Sequence, residues 1–331
     1  MTVSPEVRSD RHPLTADGSV ELAVLERSGF DESRHVGAGV VVDATGTVID
    51  SVGDVTASIY PRSTMKPFQA LAVRRAGALF SDEELVLTTA SHAGTAAHQA
   101  LALHMLESFD HVESDLGCPP DMPFDRGTAR TMDGPRRLAM NCSGKHAGML
   151  AACRVNGWDE ATYLDIEHPL QQRVRSVVEE YTHETVDLVG TDGCGAPVFP
   201  LTLTGLARGF AGVVARADDD SAALTDAVLA HPWAIDGVGR ANTVTIERLQ
   251  VLAKLGAEGV MVMGLPGGAA VAVKVLDGSQ RAGTLAALAL LERNGLVASD
   301  GVAEVLEATG ERVLGGGAVS YTHLRAHETD S

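Results

Sequence analysis

The stretch His35–Asp54, HVGAGVVVDATGTVIDSVGD, decides the reading of the fold. Two valine-bearing runs flank Ala44-Thr45-Gly46-Thr47, and β-branched runs around a short glycine-containing turn predict a hairpin. SVELAVLERSG, from Ser19, adds a strand ahead of it, and GVMVMGLPGGAAVAVKVLDG (residues 259–278) repeats the pattern near the other end. Between them, from Ser63 to about residue 255, the apolar spacing changes to three and four. KPFQALAVRRAG, SDEELVLTTASHAG, TAAHQALALHMLESFD, NCSGKHAGMLAACRVNG and EHPLQQRVRSVVEEYTHE read as helices joined by glycine-rich loops. One more helix, RAGTLAALALLERNG, follows the late strands. Strands at both ends with helices between predict an α+β fold: a mainly antiparallel sheet built from N- and C-terminal strands, with flanking helices and a central helical lobe. Such a sheet would carry Lys274, on a late strand, back towards Ser63.

The expected organisation is a polar lead-in over residues 1–18, disordered, then one catalytic domain over 19–316 and an atypical tail over 317–331. The opening MTVSPEVRSDRHPL carries charges with no apolar run behind them, so it does not read as a signal peptide, and a cytoplasmic location is expected. The strand expected after Glu311 breaks off at Gly315-Gly316-Gly317, and VSYTHLRAHETDS follows without periodicity. That tail resembles translated adapter sequence more than native protein, and His323 and His327 are left out of the functional reading.

No segment approaches the roughly 18 consecutive apolar residues of a membrane span. The formal charge of -18, with no basic stretch, repels a nucleic-acid backbone and excludes that class of partner. Four cysteines, Cys118, Cys142, Cys153 and Cys194, serve in a reducing compartment for packing, metal ligation or catalysis more readily than for disulfides. The chain holds only four lysines, Lys66, Lys145, Lys254 and Lys274, among its 26 basic residues. A buried lysine can shed its proton and act as a base, which arginine cannot do.

Ser63-Thr64-Met65-Lys66 is a Ser-x-x-Lys motif at a strand-to-helix junction. Three residues apart on a helical turn, the two side chains share a face, and a desolvated lysine could activate the hydroxyl. Against this stands chance occurrence, and Pro67, which disfavours helical geometry at Lys66 and places the helix start just after it. Ser91, in TTASHAGTAAH, could relay a proton or could simply cap a helix. Lys274 in AVAVKVLDG reads, on pattern alone, as a solvated residue on an edge strand.

Asn141-Cys142-Ser143-Gly144-Lys145-His146 is the densest polar cluster, and Thr191-Asp192-Gly193-Cys194-Gly195 is a second such loop. The first is not a P-loop, having Ala139 and His146 where Gly and Ser or Thr are required. Cys142 and Cys194 could hold zinc together with Lys145 or His146 and a water, or could be buried as small apolar residues. Cys153, inside an apolar helix, reads as core, and Cys118 as structural.

Together these segments resemble the asparaginase II family of bacterial L-asparaginases, from about Val20 to about Leu291. The resemblance rests on SRHVGAGVVVD, PRSTMKPFQAL, TTASHAG with His98, NCSGKHAGMLA, HPLQ at residues 168–171, GTDGCGAPVFPL, AKLGAEGV, LPGG and VAVKVLDG. It implies a fold similar to the serine β-lactamases and glutaminases. It also implies hydrolysis of L-asparagine through an acyl-serine, with Ser63 as nucleophile and Lys66 as its base. Ser91 and Lys274 would form a second serine–lysine pair. The same resemblance implies zinc on Cys142, Lys145 and Cys194, with Arg62, His92, Asn141 and Asp192 around the substrate, and a homodimer.

The chain departs from the family pattern at GTAAH, where a Glu-Pro pair is usual, and at GVGRANT, which leaves Asn242 where an aspartate is usual. A β-lactamase-like or peptidase-like enzyme is the rival within the acyl-serine class, but Ser-Asp-Asn and Lys-Thr-Gly are both absent. A zinc or amino-acid binding protein is the rival outside it, and such a module has no need of paired bases.

Overall fold

The computed structural model describes residues 11–310 and, for the backbone, 322–326. The hairpin read at His35–Asp54 is present. Strand β1 (Val20–Arg27) precedes the long β2 (Phe30–Val42), which turns through Gly46 into β3 (Val48–Val52). Gly46 has φ +78°, the left-handed conformation this turn needs and glycine supplies without a steric cost. Four two-residue strands, β4 (Ser58–Ile59), β5 (Gly190–Thr191), β6 (Pro197–Val198) and β7 (Leu201–Thr202), make two minor pairs, β4 with β7 and β5 with β6. The late strands are β8 (Leu252–Gly256), β9 (Val260–Gly264), β10 (Ala270–Val275) and β11 (Thr322–Ala326).

The main sheet runs β11-β1-β2-β10-β9-β8, antiparallel throughout, with β3 joining β2 beyond the end of β1. Early and late strands therefore meet at the β2–β10 pair, where Lys274 lies opposite Ala38. That pair packs close because β2 is glycine-bearing there: a Cβ on Gly37 would sit 2.0 Å from the Lys274 carbonyl oxygen. The α+β reading of the sequence holds.

The helices are α1 (Lys66–Arg75), α2 (Asp82–Thr89), α3 (Ala96–Glu107), α4 (Arg126–Ala129), α5 (Ser143–Asn156), α6 (Pro169–Thr182), α7 (Leu203–Val214), α8 (Asp219–Ala230), α9 (Ala241–Leu249), α10 (Gly283–Arg293) and α11 (Ser299–Thr309). α7 and α10 cover the sheet, and their leucines, valines and Phe210 join the sheet valines in one core. A second core lies among α2, α3 and α5, and it contains all four cysteines. These are the layers predicted: a sheet with flanking helices, and a helical lobe beside it. No described helix is long and apolar enough to cross a membrane.

Of the expected lead-in, residues 1–10 lie outside the described residues. Arg11 and His12 are tied down: the Arg11 guanidinium meets Asp187 at 2.5 Å and Glu184 at 3.1 Å, and the His12 carbonyl accepts the Ser58 N–H. The tail expected over 317–331 also lies outside, except for the β11 backbone, which pairs with β1 from Ala23 to Arg27.

Candidate active site

The segment ahead of α1 folds as a 3-10 turn, Arg62–Met65, stitched by the Thr64 amide and hydroxyl onto the Pro61 carbonyl at 3.1 and 2.7 Å. Arg62 adopts φ +52°, which costs a non-glycine residue on the order of 1–3 kcal/mol and is found where surrounding structure imposes it. Its guanidinium donates to Asp192 at 2.7 Å, so an ion pair holds the strained residue immediately before Ser63. Ser63 is half-buried, and its hydroxyl has no hydrogen-bond partner among the described residues. The helix begins at Lys66 itself, which is helical (φ -60°, ψ -35°) despite the following Pro67. Proline sits in the first turn, where its missing N–H is no loss. Phe68 locks α1 against Tyr181 and Phe210, at 6.0 and 5.9 Å between ring centres.

Lys66 is 1% exposed, and its amine donates to the Ala90 carbonyl and to Ser91 Oγ at 3.0 Å. The expected direct bond to Ser63 is not formed. Ser91 lies on the loop between α2 and α3, and its hydroxyl is also 2.8 Å from Lys254 Nζ. Lys254 is fully buried on β8 and reaches the Leu255 carbonyl at 2.9 Å as well. Burial first, and then neighbouring Lys66, push the Lys254 amine well below its ordinary range, which suits it to accept a proton.

Lys274 is therefore not the partner of Ser91. It stands on β10, an interior strand, with its amine spent on the Glu258 and Val275 carbonyls. The sequence did hold a signal for Lys254: Lys254-Leu255-Gly256 keeps the first and third residues of the Lys-Thr-Gly motif that accompanies Ser-x-x-Lys. Gly256 has a physical role in it. A Cβ there would lie 2.7 Å from the Pro61 carbonyl oxygen, so only glycine lets β8 lie flush against the turn that carries Ser63.

His92, expected around the substrate, has both ring nitrogens engaged within the protein. It is fully buried, its Nδ1 accepts the Gly94 N–H at 3.1 Å, and its Nε2 therefore carries the proton donated to Ser143 Oγ at 2.9 Å. Burial, then neighbouring His98 and Lys66, keep it neutral. It stacks on His98 at 5.0 Å and fixes the loop that carries Ser91. Asn141 Oδ1 accepts from the Cys142 thiol at 3.2 Å, and its backbone carbonyl accepts the His92 N–H.

Cys142, Lys145 and Cys194 come together at the buried start of α5. Lys145 Nζ donates to Cys194 Sγ at 2.9 Å. The Cys142 thiol, beside the Cys194 sulfur and buried, is pushed well above its usual range. The neighbouring Cys142 sulfur and Lys145 in turn hold the Cys194 thiol well below its own. Burial pulls the Lys145 amine down, and the two sulfurs more than offset it, leaving it raised. His146 adds a nitrogen: Tyr163 binds its Nδ1 at 2.6 Å, while the buried Nε2 has no hydrogen-bond partner among the described residues. Burial lowers the ring to about 4, and Cys194 lies beside it. Two sulfurs and an amine, with a water as the fourth ligand, fit a tetrahedral zinc donor set, and His146 stands beside it. Among the described residues no three His, Cys, Asp or Glu side chains form a metal site, so the set exists only by counting Lys145. Cys153 and Cys118 are buried too, burial pushing their thiols up to about 12 and about 11, and the charge of nearby Cys194 adds to the effect at Cys118.

The profile of the family described as L-asparaginase II matches residues 23–325, and the chain belongs to that family of amidohydrolases. Among solved structures it is similar to Mglu in its glutamate form, at 13% identity and TM-score 0.46, covering 78% of this chain and 61% of that one. A β-lactamase from Mycobacterium bovis matches at 18% identity and TM-score 0.44, over 78% of this chain and 94% of that one. A glutaminase from Bacillus subtilis matches at 14% identity and TM-score 0.36, over 78% and 87%. No curated protein matches.

Proposed function

We propose that the protein is an L-asparaginase, hydrolysing L-asparagine to L-aspartate and ammonia through an ester on Ser63. The observation that carries the reading is the Ser91 hydroxyl held between two buried lysine amines, at 3.0 Å from Lys66 and 2.8 Å from Lys254, beside an unengaged serine. A hydroxyl is a weak nucleophile until a base takes its proton, and a desolvated neutral amine is such a base at neutral pH. Ser63 Oγ attacks the side-chain amide carbon and Lys66 takes the hydroxyl proton. The C–N bond then breaks, and the nitrogen leaves as ammonia with a proton returned along the Lys66–Ser91–Lys254 chain. Water next attacks the ester, the same amines accept its proton, and Ser63 recovers its own as aspartate departs. Backbone N–H groups would stabilise the oxyanion.

Zinc belongs to the same reading. Cys142, Cys194 and Lys145 would hold it, and when bound it supplies a Lewis-acid centre that orients the substrate. Asp192 joins the two regions, since it pairs with Arg62 and its charge acts on Lys145. The test is ammonia release from L-asparagine and, in parallel, L-glutamine, with Ser63→Ala as control. Release from asparagine, lost in the variant, supports the reading. Release from glutamine alone would make it a glutaminase, and none from either in a folded protein would sink it.

A further inference from the structure

Outside the Ser91 loop lies a partly enclosed cavity of about 290 Å³, lined among others by Ala93, Thr95, His98, Phe124, Asp125 and Arg240. None of Ser63, Lys66, Ser91 and Lys254 lines it. Arg240 enters from the start of α9, and its Nε donates to Asp236 at 2.5 Å. Asp236 is 3% exposed and also accepts the Asn242 N–H at 3.2 Å, so its charge is committed. The guanidinium rests over Phe124 at 5.8 Å, and its two terminal nitrogens make no hydrogen bond among the described residues. A guanidinium gripped by its Nε edge presents the remaining fork, the geometry that takes a carboxylate by two parallel bonds.

Asp125 supplies the opposite charge in the same cavity. Thr128 occupies its Oδ2, the amide at 2.7 Å and the hydroxyl at 2.8 Å, while Oδ1 accepts nothing among the described residues. Those bonds hold it below the usual carboxylate range, ionised at any neutral pH. His98 adds no charge: burial lowers its ring, which is bound by Thr95 at 2.6 Å and by the Trp233 carbonyl at 3.2 Å. Two arginines, Arg240 and Arg126, line the cavity with Asp125, and buried Asp236 offsets Arg240 from behind the lining, so both signs are presented and a zwitterion is favoured over a simple anion. Val238, 84% exposed at the rim, offers an apolar wall.

We propose that this cavity binds the α-carboxylate and α-ammonium of an amino acid, Arg240 taking the carboxylate and Asp125 the ammonium. The site rests on the amidohydrolase reading for its ligand class, and two sources share that chemistry: the backbone of the substrate itself, or a second amino-acid molecule. A second molecule would act on catalysis through the strap beneath it, because the Ser91 and Ala93 amides bind the Ile235 and Asp236 carbonyls at 3.0 and 2.7 Å.

The experiment is calorimetric titration of the full-length Ser63→Ala protein with L-asparagine, and of the same protein carrying Arg240→Gln or Asp125→Asn, each checked for an unchanged melting transition. If the substrate's own backbone is held, one molecule binds per chain and Arg240→Gln weakens it about 10- to 100-fold, as expected for a lost charged hydrogen-bonded pair. In the Ser63 enzyme the same change then raises KM with kcat little altered. If a second molecule is held, two bind per chain, Arg240→Gln abolishes one, and L-alanine competes for that one alone. Succinamate, which lacks the ammonium, should bind more weakly than asparagine, and Asp125→Asn should erase the difference. Unchanged stoichiometry and affinity in both variants would overturn the proposal. Because binding is read without turnover, a protein that binds through Arg240 yet releases no ammonia would sink the asparaginase reading and leave this site standing.

Discussion

Ser91 Oγ lies 2.8 Å from Lys254 Nζ, and the strand residue, not the better-advertised Lys274, closes the serine–lysine network. Lys66 reaches the same hydroxyl from α1, so one serine joins a lysine of the helical lobe to a lysine of the sheet. Replacing Lys254 with methionine keeps the volume and removes the proton acceptor. Lys254→Met should lower kcat by about 10²- to 10⁴-fold, the usual worth of a positioned base. Lys274→Met, whose amine is spent on two backbone carbonyls, should keep near-normal turnover. Ammonia release by both variants, side by side, checks the assignment. The reverse ranking would return Lys274 to the site.

The same lysine sets a pH dependence whose sign can be worked out. In the folded protein its amine is held well below its ordinary value of 10.5, chiefly by burial, and in the unfolded chain it is not. Between those two values the unfolded state binds more protons, so the contribution of Lys254 to stability rises with pH across that window. Turnover that needs the neutral amine should fall on the acid side of the lowered value. Lys254→Met should therefore melt at a higher temperature than the parent at pH 7, and the gap should shrink by pH 10. Thermal melts across that range test it, and a variant less stable at every pH would show that the buried amine is not a strain on the fold.

Gly256 tests the contact between sheet and nucleophile turn. An alanine there must push the Pro61 carbonyl, 2.7 Å from the added carbon, and that carbonyl anchors the turn of Ser63 through Thr64. Gly256→Ala should cost about 1–3 kcal/mol of stability, as overpacking does. Its effect on kcat should be larger, on the order of 10²-fold, because a displacement near 1 Å at a nucleophile has that consequence. Equal small effects on melting and turnover would mean that the turn yields without moving Ser63.

The sheet was legible in the sequence because valine runs and the Ala44–Thr47 turn carry their own signals, while the pairing of β2 with β10 came only with the structure. β8 was not legible. Its five residues, LAKLG, contain no β-branched side chain and read as the end of a helix, which hid Lys254 within it. Lys274 drew the assignment through the family resemblance alone, since the pattern of AVAVKV reads as an edge strand with a solvated lysine. The spacing of Ser63 and Lys66 correctly put them on one turn, but spacing does not say where a long side chain ends, and Lys66 ends on Ser91. The positive φ of Arg62 had no signal, since arginine rarely adopts it and its ion-pair partners, Asp192 and Glu258, are far away in the chain. The two cysteine loops were legible as a pair. The orphaned His146 nitrogen was not, because its second nitrogen is satisfied by Tyr163 from a distant loop.

That orphaned nitrogen and the Lys145–Cys194 contact lead to the metal prediction. A buried polar atom without a partner costs about 1–3 kcal/mol, so a protein that retains one has a use for it or fills it. With zinc on the two sulfurs and the amine, the same atoms become ligands or neighbours of a ligand, and the cost disappears. Protein purified without chelator should then contain about one zinc per chain by elemental analysis. Cys194→Ala, which removes the sulfur touched by both Lys145 and Cys142, should contain almost none. The melting transition should drop in parent protein stripped by chelator and be restored by added zinc, while Cys194→Ala should respond to neither treatment. Because Ser63, Lys66, Ser91 and Lys254 stand outside the cluster, stripping should raise KM for asparagine more than it lowers kcat. Zinc-free protein as isolated, with turnover and melting indifferent to the metal, would leave the cysteines and Lys145 as a buried ion pair that serves packing alone.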